Sequence, residues 1–295
     1  MPAKYFICPN GEKVLIEKCL SKCSNRCMFL PTLRAIANSL DRKLVIPSVT
    51  ELIAGSRETY LKKLNDYPVN PEKQLYALHG SAVHTINEGH TQGNMLTEER
   101  LSDPITSGKF DLYGQIIDSS DCVLGDIKVT SSYKLMKALG IYKVEVQTGE
   151  VYKTGARKGQ MKTVKQLRTG GVRNVLDWAI QLNYYRILLE QQGFKVNKML
   201  IQAMCRDANL RVASERGIDK NIYLIKINKI SDTWVKKYMA KKAEAVTMAL
   251  AQNKTPAICS FRQRWGNRKC LSYCDVAEFC EHGMNLKNNM HSKIG

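Results

Sequence analysis

Apolar and polar residues alternate along this chain with two different periods, one helical and one strand-like. From residue 71 to about 89 the apolar spacing suits a helix that opens at Pro71 and closes at Gly89. Residues 110–117 and 122–130 read as two short strands, joined by the turn-like Asp118-Ser119-Ser120-Asp121. Residues 132–139 predict a short helix. A long helix is expected from Asn174, a capping residue, to Gln192, with Gly193 just past its end. Residues 199–205 and 222–227 predict further strands, and Ser231 or Asp232 starts a last helix running to about 251. Residues 31–74 read as mostly helical, with breaks at Asp66-Tyr67-Pro68 and Asn70-Pro71. Strands interleaved with helices give an α/β expectation.

Residues 141–173 depart from this pattern. They carry Lys143, Lys153, Arg157, Lys158, Lys162, Lys165, Arg168 and Arg173 against only Glu145 and Glu150, with several glycines and alternating β-branched residues. This is the pattern of a basic hairpin or a flexible insertion. The expected organisation has three parts: a cysteine-rich and helical segment, 1–74; a core, 75–235, interrupted by the insertion 141–173; and a C-terminal helix with a second cysteine-rich segment, 236–295.

Charge adds a partner. The chain has 295 residues with 45 Lys+Arg against 27 Asp+Glu, a formal net charge of +18. Such an excess favours a polyanion, because each phosphate contacted releases condensed counterions. Nucleic acid is the expected partner. The first residues, MPAKYFICPNGEKVLIEK, hold no long apolar stretch of the signal-peptide kind, and no run reaches the length of a membrane span. The expectation is a cytoplasmic protein, in which thiols stay reduced and ten cysteines point to metal binding rather than disulfides.

The candidate chemistry begins with Gly125-Asp126-Ile127-Lys128. On a strand, Asp126 and Lys128 leave the same face. A carboxylate there can hold a divalent cation, and an ammonium can orient the attacking water and offset charge on a phosphorane. Asp111 lies on the strand before the turn, so antiparallel pairing would bring it near Asp126. Two carboxylates, the main-chain carbonyl of Ile127 and water make a hard oxygen site suited to Mg²⁺ or Mn²⁺. His84, at the end of Gly80-Ser81-Ala82-Val83-His84, can add a nitrogen ligand. Gln181 and Tyr185 are i and i+4 on the long helix and share a face. Taken singly, each has an ordinary explanation: an edge-strand ion pair, a solvated aspartate, a packed histidine, polar helix residues.

The cysteines form two matched sets. Cys8, Cys19, Cys23 and Cys27 are separated by 10, 3 and 3 residues, and Cys259, Cys270, Cys274 and Cys280 by 10, 3 and 5. Four thiolates can close a Zn²⁺ site or hold an iron–sulfur cluster, and spacing does not choose between them. Two independent sites are expected, one per set. Cys122 and Cys205 fall in predicted strands and read as buried hydrophobes.

In order, Gly80-to-His84, Gly108-Lys109-Phe110-Asp111, Gly125-to-Lys128 and Gln181-to-Tyr185 resemble the RecB-like branch of the PD-(D/E)XK nucleases. The family pattern is a helical histidine, G-x-x-D, D-x-K and Q-x-x-x-Y. The resemblance covers about residues 75–205. It implies a restriction-endonuclease-like core, a mixed central β-sheet flanked by helices, here with cysteine-rich metal-binding segments at both termini. It implies metal binding by His84, Asp111 and Asp126, catalysis by Asp111, Asp126 and Lys128, and support from Gln181 and Tyr185. Some relatives, the CRISPR-associated exonucleases and AddB-type nucleases, carry an iron–sulfur cluster on one cysteine before the core and three after it, the latter usually spaced by two and five. This chain differs, with four on each side and a central spacing of three.

The function implied is a metal-dependent DNA exonuclease or end-processing nuclease of the recombination, repair or phage type. No G-x₄-G-K-[ST] motif is present, so a separate helicase or recombination protein is a further expected partner. Two alternatives stand beside it: a DNA-binding protein that keeps the core without catalysis, and a site-specific endonuclease. Lys153, Arg157, Lys158 and Lys162 of the insertion are the expected DNA-backbone contacts.

Overall fold

The computed structural model describes residues 3–41, 46–93, 95–117 and 120–291. Its N-terminal third runs β1 (Tyr5–Ile7), β2 (Lys13–Leu15), α1 (Ile16–Lys22), α2 (Leu30–Leu40), α3 (Val49–Ala54), α4 (Ser56–Leu64), β3 (Pro68–Val69) and α5 (Pro71–Glu88). There follow β4 (Leu96–Thr97), β5 (Arg100–Ser102), β6 (Ser107–Lys109), β7 (Leu112–Gly114), β8 (Val123–Thr130), α6 (Ser132–Ala138), β9 (Tyr142–Val151) and β10 (Met161–Arg168). The chain ends with α7 (Leu176–Gln191), β11 (Lys198–Cys205), α8 (Arg211–Ser214), β12 (Ile222–Ile227), α9 (Asp232–Gln252), α10 (Arg268–Ser272) and α11 (Glu281–His291).

The fold is mixed α/β. Its central sheet has the order β12-β11-β8-β7-β4 and helices flank it. β8 and β11 are parallel, with Asp126 opposite Ile201, and the other pairings are antiparallel. β8 is the middle strand and is buried over Val123–Ile127, as expected of a strand covered on both faces. β11 alternates instead, burying Met199, Ile201, Ala203 and Cys205.

α7 has no polar face. Every residue from Trp178 to Leu189 is buried, because the helix packs on β8, β11 and β12 and against α3 and α9. A helix enclosed all round must satisfy its polar side chains inside the protein. Asn183 bonds the carbonyls of Ala179 and Asn228 and accepts from the Ile230 amide. Arg186 pairs with Glu190 and Asp232, and the Tyr184 hydroxyl donates to Asp103. α9 is the amphipathic partner, burying Val235, Met239, Ala243, Val246 and Ala249. The Ser231 hydroxyl accepts from the Trp234 amide at its start, and left-handed Asn253 ends it.

Several elements lie where the sequence predicted none. β1, β2 and α1 form within 1–30, and β3 closes a small sheet of order β2-β1-β3. β5 and β6 make a separate hairpin, and α10 and α11 follow α9. The strand expected over 110–117 is shorter, Leu112–Gly114, and part of the turn predicted after it, 118–119, lies outside the described residues. Asn174 does not cap α7, because its amide is tied to the Lys137 carbonyl and Val175 occupies the cap position. The three expected parts share cores. Val49 and Leu52 of the first and Val235 and Met239 of the α9 region pack in the main core, while Ala3, Tyr60 and Val276 meet in a second cluster. Among the described residues, no helix is long and apolar enough to cross a membrane.

Candidate active site

β7 runs antiparallel to β8 with Leu112 opposite Gly125. β7 stops there, and the same register carried one residue further sets Asp111 opposite Asp126. Past Gly125, the β7-side edge of β8 has lost its strand partner. The Ile127 amide on that edge donates instead to Asp111 Oδ2 at 2.6 Å. β4 continues the pattern: Thr97 pairs with Leu112, and the Glu98 amide donates to the Asp111 carbonyl. Glu98, Asp111 and Asp126 therefore stand side by side across three adjacent strands.

On this level His84 Nδ1, from α5, lies 3.2 Å from Glu98 Oε1 and 3.5 Å from Asp111 Oδ2. The ligand atoms of His84, Glu98 and Asp111 lie within 4.8 Å of one another, the spread of a shared cation. They line a cleft of about 550 Å³ together with Ile127, Leu112 and Thr97. Asp126 sits deeper, 2% exposed. One of its oxygens accepts from Lys128 Nζ at 2.8 Å and from Gln181 Nε2 at 3.4 Å. The other, Oδ2, is buried with no hydrogen-bond partner among the described residues. A carboxylate oxygen left bare in the interior costs free energy unless something cationic meets it. His84, Glu98 and Asp111 make a donor set that fits a hard divalent cation; among the described residues Asp126, expected from the sequence as a ligand, does not join that group of ligand atoms.

The charges reinforce one another. Burial, and next the neighbouring Asp126 carboxylate, push the Asp111 carboxyl up to about 7 against the pull of Lys128, His84 and the Ile127 amide. Burial pulls the Lys128 ammonium down, but the carboxylates of Asp126 and Asp111 outweigh it and hold Lys128 above its usual range. Lys128 is therefore a charged donor at neutral pH rather than a base. Burial raises the Tyr185 phenol, so its hydroxyl stays protonated.

Tyr185 explains a glycine of the motif. A Cβ built at Gly108 would lie 2.4 Å from the Tyr185 ring and 2.6 Å from its hydroxyl. Gly108→Ala should therefore push the ring off β6 and cost about 1–3 kcal/mol, the usual range for overpacking. Denaturant melts check this, and the double variant Gly108→Ala/Tyr185→Leu should recover part of the loss. Additive losses would show that the contact is not the cause.

A second expected outcome concerns pH. Folded Asp111 keeps its proton up to about 7, whereas an ordinary aspartate loses it near 3.8. The folded state binds more protons across that window, so the metal-free protein should lose stability as pH rises from about 4 to about 7. A cation competes with the proton for these oxygens. The rise in melting temperature on adding Mn²⁺ should be small at pH 5 and should grow through pH 7. An equal Mn²⁺ shift at pH 5 and pH 8 would contradict the assignment.

Glu98 was not among the sequence candidates. It lies in Thr97-Glu98-Glu99-Arg100 with no motif spacing to mark it. Its backbone is the signal: Glu98 has φ +53°, a left-handed conformation uncommon for a non-glycine residue. Lys109 also pairs with it.

Cys259, Cys270, Cys274 and Cys280 line one cavity with Arg57, Lys269 and Arg264. Burial, and next the neighbouring cysteines, raise the thiols of Cys8 and Cys19. Among the described residues, no cysteine joins a group of three ligand atoms mutually within 4.8 Å. Cys205 is buried, and Cys122, half-buried, precedes β8. Lys153, Arg157 and Lys158 stand in the tip between β9 and β10, while Lys162 lies on β10 and pairs with Glu150 at 2.8 Å.

No family model matches the sequence, and no curated protein or solved structure matches the chain.

Proposed function

We propose that this chain is a metal-dependent deoxyribonuclease of the PD-(D/E)XK kind, RecB-like in its motif order, acting as an exonuclease or end-processing enzyme. The observation that carries the reading is the bare buried oxygen of Asp126 beside Asp111, with Lys128 on the same strand face. His84, Glu98, Asp111 and Asp126 would hold Mg²⁺ or Mn²⁺, with the Ile127 carbonyl at the same level. The cation would supply Lewis-acid stabilisation of charge on the scissile phosphate.

The protein's own groups do the rest. Lys128, held as an ammonium by two carboxylates, donates to a phosphate oxygen or to the attacking water. Gln181 fixes the Asp126 carboxylate, and Tyr185, wedged on Gly108, fixes the helix face that carries Gln181. The cysteine sets would bind Zn²⁺ or iron–sulfur clusters that tie the termini to the core. DNA is the substrate, with a separate helicase or recombination protein as a fitting partner.

End-labelled linear and circular DNA, single- and double-stranded, incubated with Mn²⁺ or Mg²⁺, tests the reading. Progressive shortening of linear substrates supports an exonuclease. Cleavage of circles favours an endonuclease. Binding without cleavage in either metal would leave a DNA-binding protein on this core.

A further inference from the structure

We propose that the β9–β10 ribbon reads duplex DNA by lying in the major groove, so that the substrate is double-stranded beside the cleft. This deepens the nuclease reading and rests on it for the ribbon's role in catalysis, though not for its ligand.

The ribbon is a sheet of its own, two antiparallel strands with Tyr142 opposite Arg168 and Val146 opposite Val164. β9 has ten residues, about 33 Å of strand. Nearly every residue of both strands is exposed. An isolated two-stranded ribbon is marginal by itself, yet this one is clamped at its base. The Gly171 amide donates to the Gly140 carbonyl at 2.9 Å. Arg173 donates to the carbonyls of Ala138 and Lys226, and the Asn174 amide to that of Lys137. No side chain fits at the crossing, since a Cβ at Gly140 would lie 2.4 Å from the Gly171 oxygen. The clamp lies between α6, which follows the Asp126 strand, and α7, which carries Gln181. The ribbon thus leaves the fold between two elements that adjoin or carry residues of the site.

Its charge fits a polyanion. Residues 142–168 hold seven basic side chains against Glu145 and Glu150. Charge on a lone hairpin also serves to block edge-to-edge pairing. That purpose does not account for Lys153, Arg157 and Lys158, which lie beyond the strands in the tip and form no ion pair among the described residues. One face of the ribbon alternates Tyr142, Val144 and Val146 with Arg168, Gln166 and Val164. Arg and Gln are the side chains that read guanine and adenine edges, and apolar groups meet thymine methyls. The major groove, about 12 Å wide, admits a two-stranded ribbon. Single-strand binding would need a row of aromatic platforms, whereas the ribbon offers only Tyr142 and Tyr152, the latter beneath Arg157.

The experiment uses the full chain in EDTA, which blocks cleavage, and a duplex against one of its strands, read by fluorescence anisotropy. Lys153→Ala/Arg157→Ala/Lys158→Ala should weaken duplex binding at least about tenfold and lower the log–log salt slope by about two to three. Single-strand affinity should stay within about threefold. Methylating guanine N7, which lies in the major groove, should interfere with parental binding but not with binding by Gln166→Ala/Arg168→Ala. Unchanged duplex affinity, equal loss on both substrates, or no N7 interference would overturn the proposal. So would a ribbon variant that only breaks up a dimer in sedimentation. A parent that never cleaves with Mn²⁺ yet shows ribbon-dependent duplex binding sinks the nuclease reading and upholds this one.

Discussion

Asp126→Ala and Lys128→Ala should each slow DNA cleavage by about two to three orders of magnitude or more, the scale of losing one preorganised charge at a phosphoryl or acyl centre. Asp126 should be the larger loss, because its Oδ2 is buried without a hydrogen-bond partner among the described residues and would be open to a cation. DNA binding, measured in EDTA, should change little, since it draws on a surface of net charge +18 rather than on one interior pair. Each variant also leaves a charge without its partner. Lys128→Ala strands Asp126, 2% exposed, with Gln181 alone, and removing one partner of a buried pair is destabilising. Melting curves must therefore accompany the rates. Asp126→Asn keeps the shape and the contact with Gln181 and provides the control. It should remain folded and inactive. A folded Asp126→Asn or Lys128→Ala that cuts at close to the parental rate would show that the reaction occurs elsewhere.

Much of this site is legible in the sequence, for a physical reason. Asp126 and Lys128 share a face because strand side chains alternate, and Asp111 meets Asp126 because a short connection forces antiparallel pairing. Local rules suffice for both. Gln181 and Tyr185 follow from helical spacing. Glu98 does not, since its place depends on a two-residue strand, β4, and on a left-handed backbone that no apolar period announces. The role of Gly108 is equally hidden: the ring it accommodates comes from 77 positions later in the chain. α7 is opaque in another way. Burial on every side removes the amphipathic pattern, so nothing in the sequence marks Asn183 and Arg186, 0% and 1% exposed, as interior residues. The short strands of the N-terminal sheet carry too few residues to set a period.

The second large effect is expected at the cysteines. The segment from 257 to 280 has little regular structure beyond α10, and Val276 and Ala277 are its buried apolar residues. So small a core seldom holds a lobe in place without a metal or cross-link. Burial raises the thiols of Cys259 and Cys270, and that of Cys274 to about 12. Without metal they are protonated at neutral pH, and a metal must displace those protons, so its hold should weaken as pH falls. Arg57 Nη1, 3.6 Å from Cys280 Sγ, and Lys269 can offset the charge of the thiolates formed. Protein purified without chelators should contain zinc or iron, and visible absorbance identifies an iron–sulfur centre. Cys270→Ser should lower the metal content and the melting temperature. If the two sets are independent sites, Cys270→Ser and Cys19→Ser each remove only part of the metal, and the double variant removes all of it. If one site spans the termini, either single variant removes it all. A parent that is free of metal and melts at the same temperature with and without added zinc or reconstituted iron would refute metal binding by both sets.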